Sequence, residues 1–296
     1  MLALPLPEMI IFVFVIGVYL IAAVAGVFQL WTGGGKCSRL LQPLVCLAIS
    51  AQALLLVFRA VAIKAVPLTG LFESMIVLAI VFGLIYLFFS VAIQQVWFSS
   101  VMLWIILAMV LLTAAVARPA SQPHAAAATP WAISHAVAMI LGGSAITFST
   151  ACAILYLLGI RKLKKKNLVQ VLGKVPNIEK LENMTSLGLK ACFVLLTFGL
   201  ASGIGLAAVK STALGIGFLD WVTDAKIVLI TAAWILLGAI LILRSVAALK
   251  GRTVAYMVIV TFVLILFAII GTTVFCRTKH DFAKTDYNIV QVREQP

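Results

Sequence analysis

LGIGFLDWVTDAKIVLITAAW, residues 214–234, sets Asp220, Trp221, Asp224 and Lys226 between two long apolar runs. In a chain so poor in charge, this reads as the water-facing turn between two membrane spans. Polar groups at the mouth of a membrane bundle are costly and usually mark a place where something is bound. The same alternation of long apolar run and short polar turn extends along the whole chain. Of its 296 residues, 64% are hydrophobic and only 10% are charged, against about 25% charged in a soluble domain. The fold class is therefore all-α integral membrane, a single polytopic domain over 1–296. Each span needs ~20 apolar residues to cross a bilayer core. Eight are expected, at 9–31, 40–63, 69–94, 97–116, 131–160, 187–209, 224–248 and 253–276. The Gly-Gly-Gly run at 33–35 breaks the chain after the first, and an Ala/Pro-rich stretch at 117–130 separates the fourth from the fifth.

The net charge of +13 is the mark of basic cytoplasmic loops in a membrane protein, so it does not point to nucleic acid. With the basic stretch RKLKKKNLVQVLGKVPNIEK (161–180) inside, 13 of the 22 Lys and Arg fall on the inner side. That bias predicts an N-out, C-out topology and contact of the basic loop with membrane lipid. The turn at 214–226 is then a short external loop between helices six and seven. His124, His135 and His280, the chain's three histidines, all fall on the same external face. The five cysteines have no C-x-x-C spacing, which excludes a zinc ribbon, a thioredoxin-type pair and a c-type haem attachment site. No nucleotide-binding loop, zincin motif or nucleophile elbow stands in a credible context, so no residue is assigned a catalytic role.

Several positions on the external face are candidates for binding. His135 lies one turn into the fifth span, in WAISHAVAMILGG, where Gly142, Gly143 and Ser144 allow close helix approach. His280 follows the last span in CRTKHDF. A lone histidine at such a boundary is commonly just a polar border residue. Two imidazoles on one face, however, form a pair able to hold haem iron. Arg59 and Glu73, near the outer ends of neighbouring spans, are placed to form a structural ion pair. The alternative is that Arg59, Lys64, Arg118 or Lys226 meets an anionic group such as a propionate. Trp131 fits an interfacial aromatic belt, whereas Trp221 sits in the polar turn itself between Asp220 and Asp224.

From Pro67 onward the chain resembles the CcsA/ResC/CcmC group of haem-handling membrane proteins of cytochrome c maturation, with the related HemX-type proteins. PLTGLFESM (67–75) is similar to that family's P-L-x-N-x-Y-E-S segment, with Phe72 in place of tyrosine. WAISHAV (131–137) is similar to the segment carrying its first external ligand histidine, and FGLASGIGLAA (198–208) to its glycine-bearing span. Over the family's tryptophan-rich loop, Trp221, Asp224, Lys226 and Trp234 match. Thr223, Ala225, Ile227 and Leu229 replace a tryptophan, a proline, an acid and another tryptophan. The family's histidine within the next span falls on Ile242, and its second external histidine on His280.

The resemblance implies a protein that binds haem b at the external membrane face, with His135 and His280 as axial ligands. Trp131, Trp221, Asp224 and Lys226 would lie around it, and Arg59, Lys64 or Arg118 would be propionate contacts. It implies delivery to apocytochrome c with a CcsB/ResB-type membrane partner, from a bacterial inner membrane. Any enzyme activity would then belong to a cytochrome c synthase complex and not to this chain alone. The substituted loop and the missing buried histidine imply a second possibility, a HemX-like accessory or regulatory protein without transfer activity. A non-haem transporter-like subunit sharing the fold is the third.

Overall fold

The computed structural model describes residues 4–32, 35–64, 66–68, 70–92, 96–116, 129–164, 177–214, 222–246, 249 and 251–272. Within them run eight α-helices: α1 (Leu6–Thr32), α2 (Gly35–Ile63), α3 (Leu71–Ala92), α4 (Val96–Val116), α5 (Pro130–Lys164), α6 (Ile178–Leu214), α7 (Ala225–Val246) and α8 (Gly251–Leu266). A π-helical turn, Phe267–Gly271, closes α8. All eight are long and apolar enough to cross a membrane, α8 together with its π turn. The protein is an integral membrane protein.

Local chemistry sets the helix ends. Thr129 caps α5 by accepting the Ala132 N–H on Oγ1 at 3.3 Å. Pro130 follows at the first helical position, where its missing N–H costs nothing. Asn177 plays the same part for α6, accepting the Glu179 N–H on Oδ1 at 3.0 Å. At the end of α2, Lys64 takes φ 50°, the left-handed conformation that commonly terminates a helix and is usually left to glycine.

Cross-helix bonds bring opposite ends of successive helices together. At one end Arg59, late in α2, meets Glu8 in α1 and Glu73 in α3, both in first turns. At the other, Ser100 near the start of α4 donates to the Gly26 carbonyl in α1 at 2.6 Å. Gln42 near the start of α2 donates to Ser90 near the end of α3 at 3.1 Å. The helices α1–α4 pack on one another, as do α5–α8, and the two groups join mainly through α3 on α5. There Gly143 lets Leu78 approach, and the Phe89 and Phe148 rings stack with centroids 4.7 Å apart.

The centre of the molecule is α5. Burial covers 78% of its apolar window, against 22–44% for the other seven spans. Its longest partner is α6. A Cβ at Gly188 would stand 3.0 Å from the Ala145 carbonyl, and Ser149 donates to the Thr185 carbonyl at 2.7 Å. The expected small-residue contact at Gly142 and Gly143 is present, with Gly142 facing Leu195 and Leu196 of α6.

The sixth helix departs most from expectation. The helix expected at 187–209 starts at Ile178 and runs to Leu214. Its early turns bury Leu181, Met184 and Thr185 while Glu179 and Lys180 face out. A hydropathy window averages these together, whereas the fold separates them by face. The last span is described as far as Thr272, so its expected end at 276 lies outside the described residues.

Candidate functional site

One end of the bundle gathers the starts of α1, α3, α5 and α7 with the finishes of α2, α4, α6 and α8. His135, Trp131, Arg59, Lys64, Asp224 and Lys226 all lie at this end. His280, Trp221 and Arg118 fall outside the described residues. The last described residue, Thr272, follows the π turn at this same end. Single π turns inside α-helices recur at functional sites.

The site is built on a run of glycines in α6. Three α5 side chains lie directly on its backbone: Met139 over Gly199, His135 over Gly203 and Trp131 over Gly205. A Cβ at Gly203 would stand 3.1 Å from His135 Nδ1, and one at Gly205 would stand 2.8 Å from Trp131 Cε3. Glycine is required here for close approach and not for an unusual backbone angle. We expect Gly203→Val to destabilise the protein by about 1–3 kcal/mol through overpacking, read as a lowered unfolding temperature in detergent. Gly199→Ala should cost less, because the atom it meets first is the sulfur of a flexible methionine.

His135 is fixed as well as covered. Its Nδ1 lies 2.7 Å from the Gly199 carbonyl oxygen, which also accepts the Ser202 hydroxyl at 3.0 Å. A carbonyl only accepts, so Nδ1 carries the proton and donates, and the lone pair resides on Nε2. This is how ligand histidines are usually held, with one nitrogen bonded to the protein and the other presented for coordination. The ring is partly exposed, and Lys226 of α7 lies within Coulombic reach of it.

The acid and aromatic positions of the 214–234 stretch divide into different tasks. Asp224 is buried and caps α7, accepting the Lys226 N–H on Oδ1 at 2.9 Å. This matches the preference of aspartate for helix starts. Trp234 stacks on Phe193 with ring centroids 5.6 Å apart, and its indole N–H donates to Thr197 Oγ1 at 2.8 Å. Both therefore help to fasten α7, Trp234 by holding it against α6. Lys226, partly exposed at the first turn of α7, stays on the side of His135.

Arg59 is clamped between two acids. Its Nη2 lies 2.8 Å from Glu73 Oε1 and its Nη1 lies 3.3 Å from Glu8 Oε2, with all three side chains 5% exposed or less. The expected pair with Glu73 is there, and Glu8 is a third member that sequence reading missed. Each charge also suits its helix end, acids at the starts of α1 and α3 and a cation near the finish of α2. A propionate reaching Arg59 would have to compete with two carboxylates already in place. Lys64 is exposed at the turn that follows.

Compared with known proteins, residues 68–280 match the family described as Cytochrome C assembly protein. No curated protein and no solved structure matches the chain.

Proposed function

The chain belongs to the cytochrome c assembly protein family, and from that premise we propose that it binds haem b at the His135 end of the bundle. Its role lies in cytochrome c biogenesis. In this reading the His135 end faces outward, as the distribution of Lys and Arg favours. The protein holds haem there for apocytochrome c, together with a CcsB/ResB-type membrane partner.

The observation that carries the reading is the bond from His135 Nδ1–H to the Gly199 carbonyl. It presets the tautomer and the ring direction that coordination through Nε2 requires. The donor set suits haem: a neutral imidazole on a glycine cradle, the Trp131 ring beside it, and the Lys226 cation near enough to draw a carboxylate. Two imidazole ligands would hold the haem iron in its low-spin form. The second ligand in this proposal is His280, which follows Thr272 by eight residues in the sequence. What this chain itself contributes is binding and orientation. By the resemblance to the family's tryptophan-rich loop, Trp221 would belong to the same haem-contacting set.

One observation favours the accessory reading, in which the protein modulates haem supply or enzyme abundance without transfer activity. Two of the four matches to the family's tryptophan-rich loop, Asp224 and Trp234, are engaged in capping and fastening α7. The experiment that separates these readings has two parts. Protein expressed with ample haem and purified in detergent should show the sharp visible bands of low-spin haem b; a colourless protein would overturn haem binding altogether. A strain lacking the protein should lose its c-type cytochromes if transfer depends on it, and keep them if the accessory reading holds.

A further inference from the structure

The opposite end of the bundle carries a second charged cluster that the family resemblance does not use. Four helices meet there. Arg161 comes from the end of α5, Glu182 from the start of α6, Arg244 from the end of α7, and Arg252 with Tyr256 from the start of α8. Arg161 and Arg252 both lie close enough to the Tyr256 hydroxyl to act on it electrostatically. Two guanidinium groups from different helices therefore face one tyrosine. Tyr256 itself is 45% exposed, which puts this pair on the outer surface of the bundle.

Arg244 completes the set. Among the described residues its close acid is Glu182, with Nη2 and Oε1 3.4 Å apart, a long contact for a charge-assisted pair. Its Nη1 is covered by protein and has no hydrogen-bond partner among the described residues. An unsatisfied guanidinium donor is costly to leave so. Gly251 opens the space between these groups: its missing side chain leaves room for the Tyr156 hydroxyl and for Glu182 Oε2 at the first turn of α8. Tyr156 in turn lies within Coulombic reach of Glu182, Arg244 and Arg252. Among the described residues the cluster therefore sets three arginines against one carboxylate.

We propose that this Arg161–Arg244–Arg252 cluster is a binding site for a phosphate-bearing anion, supplied by an anionic lipid headgroup at the membrane surface. Three considerations converge. Guanidinium forks match phosphate oxygens with paired donors, and basic pockets between spans are where such headgroups are held. The start of α8 adds backbone N–H groups and the positive end of a helix dipole. Choice of residue supports it too. A topology signal is satisfied by lysine and arginine alike, and the adjoining 162–174 stretch has only lysines as its cations. The three interhelical positions are all arginine, the residue suited to bidentate recognition. The site is separate from the His135 end and does not rest on haem binding.

The test uses the full chain in nanodiscs of phosphatidylcholine containing a minor share of phosphatidylglycerol, with the lipid that stays on the protein after detergent extraction quantified by mass spectrometry. The wild type should retain phosphatidylglycerol above its share. Each arginine near the surface accounts for about a fivefold change in affinity. Arg252→Gln should therefore lower the enrichment about fivefold, and Arg252→Gln with Arg161→Gln more. Tyr256→Phe removes only the shared hydroxyl, leaves the helices unchanged, and should give a smaller loss. Millimolar inorganic phosphate separates the two sources. Undiminished lipid enrichment in its presence supports a headgroup, and full displacement overturns the lipid assignment in favour of soluble phosphate. Equal retention of the two lipids by the wild type, or retention unchanged in Arg252→Gln and Tyr256→Phe, would overturn the site.

Discussion

Alanine in place of His135 is expected to remove most bound haem and to abolish the low-spin spectrum of whatever remains. The ring that would supply the iron ligand is the same ring that Gly203 and the Gly199 carbonyl hold in place. Losing an outer-shell partner of a ligand histidine typically costs 10–100-fold in affinity. Loss of the ligand itself should exceed about 100-fold. Absorption spectra of purified wild type and variant, with haem quantified per protein, make the comparison. Occupancy and band positions that survive His135→Ala intact would remove His135 from the site while leaving family membership untouched. The fold should survive the change, because Gly199 keeps its bond from Ser202.

The largest stability effect is expected at Arg59. Substitution by methionine keeps much of the side-chain bulk but strips Glu8 and Glu73 of their shared cation in a site closed to water. Breaking a buried ion pair from one side typically costs 3–5 kcal/mol. Arg59→Met should fall in that range, or protonate one acid to escape it. Glu8→Gln should behave in the opposite manner. The cluster holds two carboxylates and one guanidinium, so neutralising Glu8 leaves a balanced Arg59–Glu73 pair and a change of about 1 kcal/mol or less. Thermal or denaturant unfolding in one detergent measures both variants. Equal losses from the two would show that bond count, and not charge balance, holds the first three helices together.

The clamp also explains a motif that sequence could name but not interpret. Glu73 belongs to PLTGLFESM, the segment similar to the family's P-L-x-N-x-Y-E-S. In the fold it is an anchor for Arg59, with Phe72 packed against Phe12 at 5.4 Å between centroids beside it. Pairing with Glu73 was legible because both residues sit near the ends of adjacent spans. Glu8 was not, because nothing in a linear chain says that α1 lies against the same arginine.

Asp224 and Trp234 teach the same lesson at the opposite end of the chain. Their match to a ligand-contacting loop was visible in the sequence. Their bonds to the α7 backbone and to Thr197 were not. The cluster of Arg161, Arg244 and Arg252 went unnoticed for a related reason. These residues are scattered over 92 positions of sequence and read singly as topology signals until four helix ends converge.

The sequence by itself determined that this protein lives in a membrane, that eight segments are long and apolar enough to cross it, and that His135 and His280 are the candidate ligands to test. Those conclusions rest on local quantities, since a bilayer demands about 20 apolar residues from each crossing and tolerates a buried polar group only for a reason. Tertiary structure alone decided which polar groups are fastened and to what. It gave Glu8 and Glu73 a shared arginine, made Asp224 a helix cap, seated His135 on Gly203 and brought Arg161, Arg244 and Arg252 to one end of the bundle. Each of those outcomes depends on contacts between helices distant in sequence, where removal from water makes the partner of a charge matter more than its position in the chain.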